Sequence, residues 1–153
     1  MNNLKLLIKN INKFPIRDNK INFLLPLLNN YIGNDWKEYK DNTENEYIKR
    51  LVYNNDEYEI FIVSWMPFKK SSIHDHSENG CLYKILEGNL YEERYSFDKS
   101  LKLLEKTKYK EGDINYIDND TCLHRMVNNT NKIVHSLHIY SPPNYSIKSY
   151  EKD

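Results

Sequence analysis

The sequence lacks most features that would assign it to a binding or membrane class. Its 153 residues carry 22 Lys and Arg against 22 Asp and Glu, so no net charge attracts nucleic acid. No apolar run approaches the roughly 20 residues of a membrane span, and the start of the chain lacks a secretory cleavage site. Two cysteines, Cys81 and Cys122, are too few for a disulfide scaffold. We therefore expect a cytoplasmic protein with reduced thiols and with neither nucleic acid nor membrane as partner.

Apolar residues at helical spacing predict a helical flank over residues 1–34. The first predicted helix ends near Pro15. Its apolar positions are Leu4, Leu7, Ile8 and Ile11. The second runs from Phe23 to Ile32, with Pro26 early in it and Gly33 just past its end.

From about Glu46 the hydrophobic period changes to two, which indicates β-strands separated by turn-like segments. The predicted strands are 46–53, 57–66, 71–76, 81–87, 89–96, 101–108, 113–117, 122–128 and 133–141. This spacing predicts an all-β sandwich or barrel at 46–143, in one domain with the helical flank. Since no apolar excess is left for an interface, we expect a monomer.

The placement of the five histidines indicates a site. His74 and His76 flank Asp75, and residues i and i+2 of a strand project from the same face, so the two rings can converge on one metal. A bare His-x-His pair faces solvent as often as it binds metal, so the surrounding residues have to decide. Cys81 follows His76 by five positions, Gly88 follows later, and a His124-x-x-x-Asn128 segment lies further along.

This pattern resembles the two-part cupin signature, which implies a mainly β double-stranded β-helix, or jelly-roll barrel. In cupins the first part supplies a His-x-His pair and a Glu, and the second part supplies one more His. Cys81 stands where that Glu would be. The resemblance therefore implies a neutral ligand set of His74, His76 and His124, which could hold Fe(II) with open positions for substrate and dioxygen.

The Glu-to-Cys departure is typical of thiol dioxygenases, and four segments resemble cysteine dioxygenase. They are Ser71–His76, Cys81–Leu90, Leu123–Arg125 and Ser136–Pro143. The last, with its Ser-x-His-x-Tyr-Ser-Pro-Pro pattern, is the most specific. The resemblance implies an enzyme that binds one Fe(II) per chain and oxidises L-cysteine with dioxygen to cysteine sulfinic acid.

The resemblance also implies catalytic residues on the closing strand. Ser136, His138 and Tyr140 alternate, so they share one face and can form a hydrogen-bonded relay that ends at the Tyr140 hydroxyl. Cys81 matches the family's cysteine that is joined to a tyrosine ring carbon, which predicts a thioether between Cys81 and Tyr140. An isolated cysteine would otherwise be interpreted as a small buried hydrophobe.

The site for the substrate carboxylate stays open between two cations. The family pattern is Tyr-x-Arg, whereas this chain has Tyr47-Ile48-Lys49-Arg50. Ungapped pairing places Lys49 on the face of Tyr47 and Arg50 on the opposite face, and a β-bulge would return Arg50 to the pocket. Lys49 supplies charge without the bidentate fork of an arginine.

Two other functions remain possible from the sequence. The first is a dioxygenase for another small thiol, such as 3-mercaptopropionate or cysteamine. The second is a metal-binding cupin without turnover. The chain ends ten residues after Pro143, so we expect a more open site or a different lid than in longer relatives. We expect packing roles for Cys122 and His135.

Overall fold

The computed structural model describes residues 2–151 as two five-stranded antiparallel sheets with helical segments at the N-terminus. The strand order is β1-β2-β9-β4-β7 in the first sheet and β10-β3-β8-β5-β6 in the second. The strands are β1 (Tyr47–Asn54), β2 (Glu59–Trp65), β3 (Ile73–His74), β4 (Cys81–Glu87), β5 (Leu90–Tyr95), β6 (Leu103–Tyr109), β7 (Ile114–Ile117), β8 (Leu123–Val127), β9 (Val134–Tyr140) and β10 (Ser149–Tyr150).

Most predicted strands lie within two residues of their observed bounds, but one predicted strand is much shorter and one observed strand was not predicted. The strand predicted at 71–76 has only two residues, Ile73 and His74, so His76 lies in the segment that follows it. The sequence also gave no signal for β10, which lies beyond the predicted barrel range and pairs with β3. Both departures lie beside the histidines that carry the candidate site.

The N-terminal flank contains two short helices, α1 (Leu4–Ile11) and α2 (Leu25–Asn30). The side chain of Asn3 caps α1 by accepting a hydrogen bond from the Leu6 amide at 2.8 Å. The predicted second helix is split, because α2 follows a 3-10 turn at Ile21–Leu24. Pro26 cannot donate a backbone hydrogen bond to that preceding turn. No helix among residues 2–151 is long and apolar enough to cross a membrane.

The helical flank covers the outer face of the first sheet. Leu7, Ile11 and Leu28 belong to the same buried cluster as Leu82 and Ile139 of the sheet. The central strands β2, β4 and β9 are therefore buried on both faces. A second 3-10 turn, at Asp35–Tyr39, precedes β1.

Lys84 of β4 ties the flank to the sheet. Its ammonium donates to the carbonyls of Leu28, Asn29 and Tyr31, at 3.3, 2.9 and 2.6 Å. These carbonyls lie at the end of α2, where backbone acceptors have no partner within the helix. The buried cation thus satisfies the end of α2.

Alternation along β9 separates this outer layer from the barrel interior. Leu137 and Ile139 belong to the buried cluster under the helices. Ser136, His138 and Tyr140 point to the opposite face, since side chains alternate along a strand. The interior on that side is lined by a second buried cluster that includes Trp65, Cys81 and Tyr83. The outer layer therefore anchors a strand whose inner face is polar.

Candidate metal centre and substrate cavity

Three histidine rings meet inside the barrel. His74 and His124 lie directly opposite each other in the β3–β8 pair, and His76 follows two residues after His74. The Nε2 atoms of His74 and His124 are 3.1 Å apart, and one nitrogen of each of the three rings lies within 4.8 Å of the others. The structure therefore brings together the three residues that the sequence predicts as metal ligands.

A separate acceptor orients each ring through its Nδ1 atom. The Nδ1 of His74 lies 2.8 Å from the carbonyl oxygen of Ser72. The Nδ1 of His76 lies 3.3 Å from Oδ1 of Asn119, and that of His124 lies 2.8 Å from Oε1 of Glu92. These acceptors keep a proton on each Nδ1, so the lone pair of each Nε2 is free for a metal ion.

The rings are neutral because the barrel shields them from water. Burial, together with the neighbouring rings of His124 and His74, lowers the pKa of His76 to about 2. Burial also lowers the pKa of His124 well below its ordinary value, and it lowers that of His74. The Nε2 of His76 is buried and has no hydrogen-bond partner among residues 2–151. An unpartnered neutral imidazole beside two others fits a transition-metal site.

A chain of four hydrogen-bonded side chains runs beside this cluster. The indole nitrogen of Trp65 donates to Oγ of Ser136 at 2.8 Å. That Oγ lies 2.8 Å from Nε2 of His138, and Nδ1 of His138 lies 3.1 Å from the hydroxyl of Tyr140. The relay therefore runs in the order Trp65, Ser136, His138 and Tyr140, and it ends at the Tyr140 hydroxyl.

The indole fixes the direction of the first bond of this relay, since it can only donate. Ser136 accepts from Trp65, so its own proton is available to Nε2 of His138. In that arrangement the neutral His138 ring carries its proton on Nδ1, the nitrogen that faces Tyr140. Burial lowers the pKa of His138 to about 3, with smaller contributions from Lys49 and His74. The Tyr140 hydroxyl also forms a hydrogen bond with the Cys81 thiol.

Cys81 and Tyr140 are directly opposite each other in the β4–β9 pair. Opposite side chains in such a pair have Cβ atoms about 4.5–5.5 Å apart. The thiol of Cys81 lies 3.7 Å from Nδ1 of His138, the same atom that contacts Tyr140. Burial raises the pKa of the Cys81 thiol and that of the Tyr140 hydroxyl, so both are protonated at neutral pH.

The three rings and three members of the relay, Trp65, His138 and Tyr140, line one small enclosed cavity of about 30 Å³. Its walls include, besides the histidines, the following residues: Tyr47, Lys49, Val63, Trp65, Asp75, Met126, Tyr140 and Ile147. Ligand pockets for larger molecules usually measure about 300–1,000 Å³. The cavity is therefore of a size for a very small ligand.

The structure separates the two candidate cations. Lys49 lines the cavity, with its ammonium 5.3 Å from the ring centre of Tyr140 and 4.9 Å from that of Phe61. Arg50 lies on the opposite face of β1 and forms an ion pair with Asp41. The β1–β2 register is regular from Tyr47 to Leu51 and shifts only after Leu51. No bulge therefore returns Arg50 to the cavity.

Cys122 and His135 lie outside the cavity, as expected. The Cys122 thiol is buried and contacts Oγ1 of Thr121 at 3.8 Å. His135 hydrogen-bonds Glu87 at 2.8 Å and packs against Trp36 with ring centres 5.4 Å apart. These contacts are consistent with packing.

Sequence reasoning missed several residues that support the site. Glu92 and Asn119 orient two rings of the histidine cluster, and Ile147 belongs to the cavity wall. For Glu92 a signal was present, because Leu90, Glu92 and Arg94 alternate on the inward face of β5. A carboxylate and a guanidinium at core-facing positions indicate a polar network rather than packing.

Solved structures with the same strand arrangement define the class. A protein with a double-stranded β-helix domain from Klebsiella pneumoniae has a TM-score of 0.60 at 17% identity and covers 76% of this chain and 94% of its own. A cupin superfamily protein from Desulfitobacterium hafniense has a TM-score of 0.53 at 18% identity over 67% of this chain and 83% of its own. These likenesses confirm the predicted cupin fold.

Sequence comparison gives the family within that class. The profile of cysteine dioxygenase type I matches residues 8–153, so the chain belongs to the cysteine dioxygenase type I family. Cysteine dioxygenase type 1 of Rattus norvegicus is 34% identical over 116 residues, 71% of this chain and 58% of that protein. The Danio rerio protein of that name is 32% identical over 136 residues, 82% of this chain and 67% of that protein. The chain thus spans little more than half the length of the rat relative.

Proposed function

We propose that this chain is a non-haem iron thiol dioxygenase that oxidises L-cysteine with dioxygen to cysteine sulfinic acid. The observation that carries the proposal is that three neutral imidazoles and the Ser136–His138–Tyr140 relay open into one small cavity. Membership of the cysteine dioxygenase family supports the same reaction. The thiolate takes up both atoms of dioxygen, so the balance is one thiolate and one O₂ to one sulfinate.

His74, His76 and His124 would hold one ferrous ion per chain through their Nε2 atoms. When bound, ferrous iron supplies a redox-active centre that accepts a thiolate and lets dioxygen react despite its spin state. The protein keeps these ligands neutral by burial, and Ser72, Asn119 and Glu92 hold them in orientation. This arrangement leaves positions for substrate at the open side of the three rings.

Lys49 is the cavity residue suited to the substrate carboxylate. Its side chain lines the cavity, and it forms no ion pair with any carboxylate among residues 2–151. Tyr47, also in the wall, packs on Trp65 with ring centres 4.9 Å apart, and burial raises the pKa of its hydroxyl. The Tyr47 hydroxyl and the Lys49 ammonium would both donate hydrogen bonds to the substrate carboxylate.

Tyr140 acts as the proton-holding group at the cavity. Its hydroxyl lies beside His138 and Cys81, and burial keeps it protonated, so it would serve as the donor to the substrate oxygen that gains negative charge. The relay behind it resists protonation because His138 is buried. The hydroxyl thus keeps its donor role across the neutral pH range.

We also propose a thioether between Cys81 and the ring of Tyr140. The thiol and one ring carbon each lose a hydrogen, a C–S bond forms, and the two electrons pass to dioxygen, which becomes hydrogen peroxide. The support is the direct opposition of the two residues in the β4–β9 pair. We also propose that the protein acts in the reducing cytoplasm, which suits its two free and buried cysteines.

One observation favours a second substrate. Lys49 offers a point charge without the fork that pairs with a carboxylate in two places, so recognition of the amino-acid end is less specific. A thiol that keeps the carboxylate, such as 3-mercaptopropionate, is then a competing substrate. Cysteamine lacks the carboxylate and is disfavoured beside an unpaired ammonium. A metal-binding cupin without turnover would have no use for the Tyr140 relay.

The test is anaerobic loading with Fe(II), followed by addition of one thiol and dissolved dioxygen. Oxygen uptake and sulfinate are measured for L-cysteine, 3-mercaptopropionate and cysteamine, with His74→Ala as the control. We expect one sulfinate per dioxygen for L-cysteine, lost in His74→Ala. Preference for 3-mercaptopropionate would change the substrate but keep the reaction. Iron binding without oxygen uptake for any thiol would leave a binding protein and contradict the proposal.

A further inference from the structure

The segment after β9 folds back over the histidine cluster. Residues Ser149 and Tyr150 pair with His74 and Ile73 as strand β10. The hydroxyls of Ser72 and Ser149 lie 2.9 Å apart. The chain between Pro143 and β10 therefore crosses the rim of the cavity next to a metal-facing ring.

Asp75 fastens this segment to the site. Its backbone amide donates to the carbonyl of Lys148 at 3.1 Å, and its Oδ1 accepts from the amide of Lys148 at 2.7 Å. The hydroxyl of Tyr145 also hydrogen-bonds the Asp75 carboxylate. The carboxylate is almost completely buried, at 8% exposure, and each of these partners belongs to the segment. Asp75 thus connects the segment to the tripeptide that carries His74 and His76.

Ile147 is the residue that this attachment brings into the cavity. It precedes Lys148, whose backbone forms both hydrogen bonds with Asp75. The Ile147 side chain forms part of the wall that includes His74, Tyr140 and Lys49. It is 37% exposed, so it stands at the rim between solvent and the cavity. A branched apolar side chain there limits the space beside the bound thiol and offers no partner for a polar substituent.

We propose that Ile147 is a specificity-determining residue that restricts the cavity to thiols without a branch at the carbon next to sulfur. Asp75 is the positioning residue that holds Ile147 in place. This inference rests on the proposed function and adds the residues that set the size of the substrate. It predicts two separable effects. Shortening Ile147 widens the range of thiols, and removing the Asp75 carboxylate releases the segment.

The first measurement is amide hydrogen exchange on the apoprotein, which needs neither metal nor turnover. We expect Asp75→Ala to speed exchange of residues 145–150 at least about tenfold, because the Lys148 amide loses its acceptor. Asp75→Asn keeps an acceptor oxygen and should retain slow exchange. Unchanged exchange in Asp75→Ala, or equal loss in both variants, would overturn the positioning role.

The second measurement compares L-cysteine with L-penicillamine, which carries two methyl groups on the carbon next to sulfur. We expect Ile147→Ala to shift the ratio of kcat/KM toward L-penicillamine by at least about tenfold. Ile32→Ala is the matched control, because Ile32 is 75% exposed and outside the cavity wall. An unchanged ratio in Ile147→Ala would overturn the specificity role.

A binding experiment compares the affinities of the same two thiols. It follows the thiolate absorption band of the Co(II)-loaded protein as each thiol is added. If the wild type oxidises no thiol, the proposed function fails, while the binding ratio of the two thiols still decides the role of Ile147. A shift toward L-penicillamine in Ile147→Ala supports the inference in either case. Absence of thiol binding by the wild type would overturn both proposals.

Discussion

Glu92 of β5 accepts a hydrogen bond from Nδ1 of His124 in the neighbouring strand β8, at 2.8 Å. Glu92 is 1% exposed, and its other oxygen accepts from Nε of Arg94 at 2.9 Å and from Asn115 at 3.1 Å. A buried carboxylate with these partners is fixed in place, and it fixes His124 in turn. The Nε2 lone pair of His124 is thereby aimed at the other two rings.

We expect Glu92→Gln to weaken metal binding about 10- to 100-fold, since the amide carries no charge to raise the basicity of the ring. The measurement is competition for Co(II) or Fe(II) against a chelating dye. Glu93→Gln is the matched control, because the next residue along β5 points to the opposite face and bonds Arg125 instead. Equal loss of affinity in both variants would contradict the role given to Glu92.

The positions of Lys49 and Arg50 predict opposite results for the two cations. We expect Lys49→Ala to raise KM for L-cysteine at least about tenfold, because a charged hydrogen bond is worth about 1.5–3 kcal/mol. Arg50→Ala should leave KM unchanged, since Arg50 forms a surface ion pair with Asp41. Steady-state oxygen uptake gives both constants. A larger effect at Arg50 than at Lys49 would show that the carboxylate binds elsewhere.

The proposed thioether predicts a mass difference. After turnover with L-cysteine, a fraction of the denatured wild-type protein should be lighter by two hydrogen atoms, and a fragment joining Cys81 to Tyr140 should survive reduction. Cys81→Ser and Tyr140→Phe should lack this species, whereas Cys122→Ser should retain it. Intact and peptide mass spectrometry measure all four. A fragment that joins Cys122 instead would contradict the pairing.

The period-two pattern predicted most strands of the barrel, because each strand has one polar or reactive face and one apolar face. In β9 the alternation of Ser136, His138 and Tyr140 with Leu137 and Ile139 reflects an interior site on one side and a helical layer on the other. Such a strand has a single register compatible with burial. Its position and its inward residues were therefore predictable from the sequence.

Features held by specific polar contacts were not predictable in this way. Strand β10 has two residues, and the bonds between Asp75 and Lys148 locate it rather than an apolar pattern. The apolar spacing predicted one continuous second helix. The observed helix is split because Pro26 has no backbone N–H to continue the hydrogen bonding from the preceding turn. Local periodicity describes burial, and it contains no information on partners that are distant in sequence.

The environment of Glu93 predicts how the free energy of unfolding depends on pH. It is 7% exposed. Burial alone would raise its pKa, but hydrogen bonds from Tyr95, Arg125 and Lys106 outweigh burial and lower the pKa to about 2. A carboxyl with a depressed folded pKa stabilises the protein above its unfolded pKa, and this contribution is lost as pH falls toward 2.

We therefore expect the wild type to exceed Glu93→Gln in free energy of unfolding by about 3 kcal/mol at pH 7. The difference should shrink steadily between about pH 4.5 and pH 2, because the unfolded carboxyl titrates near 4.3. Urea denaturation of the apoproteins at several pH values measures it. Glu105→Gln, on the exposed face of β6, should show no such trend. A difference that grows on acidification would contradict the argument.

The donor-only indole of Trp65 predicts a kinetic effect that acts through the relay. In Trp65→Phe, Ser136 loses the donor that occupies one of its two acceptor positions, so Ser136 accepts more readily from a proton on Nε2 of His138. Tyr140 then loses the hydrogen bond from Nδ1. We expect kcat to fall about tenfold or more with little change in KM, because a positioned proton donor contributes about 10²–10⁴-fold.

Histidine ¹⁵N chemical shifts give the independent measurement, since they distinguish Nδ1–H from Nε2–H. The wild type should show His138 as the Nδ1–H tautomer, and Trp65→Phe should show a mixture. Trp36→Phe is the control, because Trp36 is equally buried but packs on His135 outside the cavity. If Trp65→Phe keeps the wild-type tautomer, the direction of the relay is set by Tyr140 and its neighbours, and the indole serves packing alone.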